Sequence, residues 1–140
     1  MITKVEGVVQ IGVSLDHVAG AFAEVAEALA KADINIHGVS RGDKDANSYL
    51  FHLVVDKADE AIKIIEAAGK TAMKEHVVSI EASDDEPGLI AKVTRTLANA
   101  NINIETLYHA SLGRGEAAVI YIGVNEADYD KTLQLVQGLL

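Results

Sequence analysis

The segment Ala91–Ile104, AKVTRTLANANINI, has a counterpart in Ala23–Ile36, AEVAEALAKADINI. Each carries aliphatic residues at the spacing of one helix face and closes on Ile-Asn-Ile. A second pair of segments lines up in the same way: Val54–Gly69, VVDKADEAIKIIEAAG, with Gly123–Gly138, GVNEADYDKTLQLVQG. Two copies of one unit therefore fill the chain, and the fold is read from the unit rather than from the whole.

Alternation at Val9, Ile11, Val13 and at Val78, Ile80, Ala82 has the period of a half-buried strand. Phe22, Val25, Ala26, Leu29 and Ile90, Val93, Leu97 then form an apolar helix face. Ile34 and Ile36, or Ile102 and Ile104, begin a further strand. SYLFHLVV and AAVIYIGV read as the next, and Ala61, Ile64, Ile65, Ala68 or Tyr129, Leu133, Val136 as a second helix. With the terminal strand TAMKEH after the first copy, the order is βαββαβ. The fold class is α+β: two ferredoxin-like units in tandem, antiparallel sheets with helices on one face. The domains are expected at 1–69 and 70–140. The second copy lacks its last strand, and ITKVEGVV near the N-terminus aligns with TAMKEHVV at an offset of 69 residues. Ile2–Val5 are therefore expected to supply that strand, within the chain or from a partner chain.

The copies differ in their loops. Val13 to Gly20 spans one residue more than Ala82 to Gly88, whereas the connection around SLGRGEA makes the second copy longer between its middle strands. The segment before the second copy's first helix is DDEPGL, with the only proline of the chain. A proline has no N–H for a first helical turn to leave unpaired, so Pro87 is expected to start the helix, with Asp85 or Glu86 capping it. A second reading stands beside this one. Free N–H groups at the helix start, with Gly88 admitting close approach, would hold a carboxylate while a nearby aspartate holds an ammonium, the two charged ends of an amino acid.

Composition excludes several classes. The 140 residues are 49% hydrophobic and carry a net charge of -9. Residues 1–69 have 6 basic and 11 acidic side chains, and residues 70–140 have 6 and 10. A chain so charged repels nucleic acid and anionic membranes. There is no cysteine, hence no disulfide or thiol chemistry. No leader-like or 18-residue apolar run is seen, so a cytoplasmic location is expected. The five histidines, His17, His37, His52, His76 and His109, lack HxxxH or HExxH spacing, and no metal or cofactor is implied. GRGE at 113–116 lacks the Gly-Lys-Ser/Thr ending of a phosphate loop and reads as a hairpin turn. No serine lies in a nucleophile-elbow pattern, so no catalytic residue and no enzyme is read.

DDEPGLIAKVTRTLANANINIETLY, Asp84–Tyr108, resembles the signature of ACT domains: an acidic loop, Pro-Gly, an aliphatic residue, a helix ending in Ala-x-Ala-Gly, and Ile-Asn-Ile. The likeness covers nearly the whole chain twice, and the arrangement looks like stand-alone tandem ACT proteins that have no catalytic domain. It implies βαββαβ modules that bind amino acids and regulate metabolic enzymes. By position it implies ligand contacts at Asp84, Asp85, Gly88, Leu89, Asn103 and Ile104. In the first copy it implies Asp16, His17, Gly20, Asn35 and Ile36, although Ala19 and His17 replace the proline and the second acid. Asp33 and Asn101 stand where the family has a glycine, and both residue types tolerate a left-handed backbone.

Away from the helices, Val39, Leu50, Val54, Leu107, Val119 and Tyr121 are expected to form an apolar face buried against another sheet. This agrees with the pairing of ACT modules, and a homodimer is expected. The function implied is an amino-acid-responsive regulator of a separate metabolic enzyme. The alternative is a non-catalytic interaction subunit with degenerate sites, similar to the small subunits of acetolactate synthase.

Overall fold

The computed structural model describes residues 1–140. The elements are β1 (Ile2–Asp16), α1 (Ala21–Lys31), β2 (Ile36–Asp45), β3 (Ser48–Val55), α2 (Ala58–Ala67) and β4 (Ala72–Ala82). Then come α3 (Leu89–Asn99), β5 (Thr106–Ser111), β6 (Ala118–Gly123), a 3-10 turn at Glu126–Asp128 and α4 (Tyr129–Gln137). No helix is long and apolar enough to cross a membrane.

The chain forms two compact units, one of Val9–Glu75 and one of Met1–Val8 with His76–Leu140. In the first, the strands lie in the order β2-β3-β1-β4, with β1 antiparallel to β3 and β2 antiparallel to β3. Ile11, Val13 and Leu15 of β1 alternate onto the face that meets Val25 and Leu29 of α1 and Ala61 and Ile65 of α2, in one buried core. Each of the valine, leucine and isoleucine side chains contributes about 1.5–3 kcal/mol relative to exposure. The other unit repeats the plan. β4 pairs with β6 and β6 with β5, all antiparallel, and Val78 and Ile80 pack with Val93, Leu97 and Val136. Ile2 and Val5 are buried in this second core, and the Met1 carbonyl accepts from the Ser83 N–H at 3.2 Å beside the end of β4.

The first helix of each unit ends in the same way. Asp33 and Asn101 are left-handed, with φ of 60° and 59°. The Ile34 N–H then reaches back to the Leu29 carbonyl at 3.0 Å, and the Ile102 N–H to the Leu97 carbonyl at 3.0 Å. This six-to-one closure brings the isoleucine of Ile-Asn-Ile onto the buried leucine of the helix, so the turn and the core form together.

The expectation for the apolar face needs a correction. Val39 pairs with Leu53 and Leu107 with Ile122, both core residues, and directly paired residues share a face. Val39 and Leu107 thus lie on the helix side of their strands and are 46% and 42% exposed. In β2 the cause is a register shift between Ile36 and Gly38, which inverts the alternation read from the sequence.

Deleting Met1–Val5 removes the first four residues of β1 and two core side chains from the second unit. We expect lower amide-exchange protection at Val78–Ala82 and a lower urea midpoint for unfolding. Unchanged protection in that half of β4 would show that the N-terminal strand contributes no stability there.

Candidate functional site

In DDEPGL the proline and glycine act as a pair. Glu86-Pro87-Gly88-Leu89 makes a turn in which proline holds the second position and Gly88 takes φ 106° and ψ -6°, as a type II turn requires. The Leu89 N–H faces the Glu86 carbonyl at 3.4 Å, and α3 begins after the glycine, with its first bond from the Lys92 N–H to the Gly88 carbonyl at 2.9 Å. Pro87 therefore lies in the turn and not in the first helical turn. Neither Asp85 nor Glu86 caps α3, and no side chain does. The first N–H groups of a helix have no partner within it, so this start is open to an anion.

Asp85 is held by the connection between β5 and β6. Its N–H donates to the Glu116 carbonyl at 2.8 Å, its carbonyl accepts from the Gly115 N–H at 2.6 Å, and its carboxylate accepts the Ser111 hydroxyl. The Ser111 oxygen in turn accepts the Gly113 N–H at 3.1 Å. An ionised carboxylate offers about four acceptor positions, so one hydroxyl orients Asp85 without exhausting it. A cavity of about 360 Å³ opens here, lined by Asp85, Gly88, Leu89 and Ile90 together with His109 and Arg114. With Glu86 also on its wall, it combines two carboxylates, a cation, an imidazole and an uncapped helix start, a set able to bind a small zwitterion.

The other expected residues are placed elsewhere. Asp84 receives the N-terminal ammonium on its carbonyl at 2.9 Å and does not line this cavity. Asn103 and Ile104 line a different one, about 750 Å³, along α3 with Lys92 and Arg95. In the first unit, Asp16 is the last residue of β1, paired with Ser48, and borders a cavity of about 400 Å³. The His17 N–H donates to the Asn47 carbonyl at 2.8 Å, and its ring lies 4.2 Å from that of Tyr49. Gly20 is left-handed at φ 87°, and the Ala21 N–H faces the Val18 carbonyl at 3.3 Å, so Ala19 supports the same turn without proline. The Asn35 N–H donates to the Asp56 carboxylate at 3.1 Å, and Ile36 pairs with Val55.

Sequence reasoning missed His109 and Arg114. Arg114 belongs to the longer SLGRGEA connection, and that length difference was the available signal. In the first unit, only Ala46 and Asn47 separate β2 from β3, so no such loop reaches the helix start.

Gly88 has no atom within 4 Å of where a Cβ would stand, so substitution there meets only the backbone preference. We expect Gly88→Ala to cost about 1–2 kcal/mol in urea unfolding, and Gly88→Asn less, because asparagine tolerates the left-handed region better. Equal costs for the two would place the origin elsewhere.

Residues 76–140 match the ACT domain family model. No curated protein matches the sequence. Among solved structures, the chain resembles a protein from Bacteroides thetaiotaomicron, with 23% identity and a TM-score of 0.83, covering 98% of this chain and 91% of that one. It also resembles the ligand-free regulatory subunit of aspartate kinase from Thermus thermophilus, with 22% identity and a TM-score of 0.68, covering 98% and 97%. The regulatory subunit of aspartate kinase from Thermus flavus aligns with 22% identity and a TM-score of 0.63, again covering 98% and 97%. These likenesses concern the fold. Residues 76–140 thus match the ACT domain family, and the first unit repeats the same βαββαβ plan.

Proposed function

We propose that this protein is a regulatory protein that binds a small amino acid at the start of α3 and modulates a separate metabolic enzyme. The observation that carries the reading is the shared cavity of Asp85 and the uncapped helix start behind Gly88. The ligand carboxylate meets the free N–H groups of the first helical turn, with Arg114 beside it, and the ammonium meets the oriented Asp85 carboxylate. The fold likeness to aspartate kinase regulatory subunits supports a regulatory role. No catalytic role is assigned to any residue.

A second reading is favoured for the first unit. His17, Gly20, Asn35 and Ile36 do not line the cavity that Asp16 borders, and His17 is engaged with Tyr49 and Asn47. This is the arrangement of a degenerate site, as in an interaction subunit. Association as a homodimer belongs to the same proposal, as the resemblance to paired ACT modules implies.

A thermal-shift screen of the twenty amino acids tests the proposal. A ligand at a hundred times its Kd stabilises the native state by about 2.7 kcal/mol. Each kcal/mol moves the midpoint of a protein of this size by roughly 2–8 °C. One amino acid should therefore stand out by several degrees, its amide and N-acetyl derivatives should fail, and Asp85→Asn should remove the shift. If all twenty leave the midpoint in place at millimolar concentration, the interaction-subunit reading replaces the sensor.

A further inference from the structure

Two helix faces that the repeat makes equivalent carry opposite charge. Over the aligned segments Ala23–Ile36 and Ala91–Ile104, Glu24 corresponds to Lys92 and Glu27 to Arg95, with Ala23 and Ala30 flanking one pair and Ala91 and Ala98 the other. All of these side chains are exposed. α1 holds these two glutamates and one basic residue, Lys31, whereas α3 holds Lys92 and Arg95 and no acid. Neither glutamate, nor Lys92 or Arg95, takes part in an ion pair within the chain, although exposed residues elsewhere do, such as Lys74 with Asp59 at 3.2 Å.

A solvated helix face does not account for this. Lys92 lies in the first turn of α3, where the helix dipole disfavours a cation, and it does not line the cavity at the helix start. It lines instead an open groove of about 750 Å³, with Arg95, Ala91, Ala98, Asn103 and Ile104. The small residues at 91 and 98 leave the helix approachable, because the distance at which helices pack is set by the side chains between them. Each helix also leads into a strand with one open side, since β2 pairs with β3 alone and β5 with β6 alone. Such an edge is a template for another chain. In a chain of net charge -9, the basic groove of α3 calls for an acidic partner, and α1 supplies two glutamates between equally small neighbours.

We propose that the groove along α3 receives α1 of a second copy of this chain, with Glu24 and Glu27 of one copy facing Lys92 and Arg95 of the other. This pairing rests on the homodimer reading above and states which faces meet. Pairing α1 with α1 would bring glutamates against glutamates, and pairing α3 with α3 would bring cations against cations. Like charges across an interface are a cost that suppresses the wrong partner face. The mixed pairing sets opposite charges together.

Analytical ultracentrifugation of the full chain tests the pairing. The parent chain should sediment as a dimer whose Kd rises with salt. Glu24→Lys with Glu27→Arg makes both faces basic, and Lys92→Glu with Arg95→Glu makes both acidic. Each double variant should keep the parent's far-UV circular dichroism spectrum while its dimer Kd rises at least about tenfold. An equal mixture of the two variants should recover the dimer as a heterodimer, which a misfolded chain could not do. The pairing is overturned if either double variant dimerises as well as the parent chain, or if the mixture fails to associate. A dimeric parent chain in that case leaves the homodimer reading in place with its contact elsewhere. A parent chain that sediments as a monomer at every concentration overturns both.

Discussion

A left-handed glycine at the entrance to a helix is the constraint on which the site depends. Gly88 and Gly20 take φ of 106° and 87°, and each passes the chain from a turn into a helix with no side-chain cap. A serine or aspartate cap would have satisfied an orphan N–H from within the protein. The glycine turn leaves those donors for something else and removes the Cβ that would stand in the way. Proline makes the turn in one copy and alanine in the other, so the backbone requirement rests on the glycine and the proline reinforces it.

The two units show how one plan acquires different chemistry. Their helices end on the same closure, Leu29 to Ile34 and Leu97 to Ile102, and their cores occupy equivalent positions. The loops then diverge. A tight hairpin at Ala46–Asn47 lets β1 pair as far as Asp16, whereas the longer 112–117 connection folds back to bind the Asp85 peptide and carboxylate. The second unit gains Arg114 beside its helix start in this way, and the first has no counterpart to it. Core positions cannot vary in this manner, because loss of a buried aliphatic side chain costs several kcal/mol, and loops can.

Much of the fold was legible because its signals are local. Alternation at Ile11 and Val13, the helical spacing of Val93 and Leu97, and the repeat itself each depend on residues close in sequence. The left-handed residues after the helices were legible for the same reason, since Asp33 and Asn101 occupy a position whose geometry a single residue type announces. The face of Val39 was not legible, because a one-residue register shift reverses alternation without a distinctive residue to mark it.

The sequence by itself determined the repeated βαββαβ order, the apolar positions of both cores, and Asp85 and Gly88 as parts of one loop. Tertiary structure alone decided that Pro87 belongs to a turn rather than to α3, that Ser111 and Glu116 hold Asp85, and that His109 and Arg114 share its cavity while Asn103 and Ile104 line another. The physical reason is separation along the chain. Periodicity reports which face of an element is buried, but contacts between loops more than twenty residues apart are set by loop length and backbone hydrogen bonding, which leave no period in the sequence.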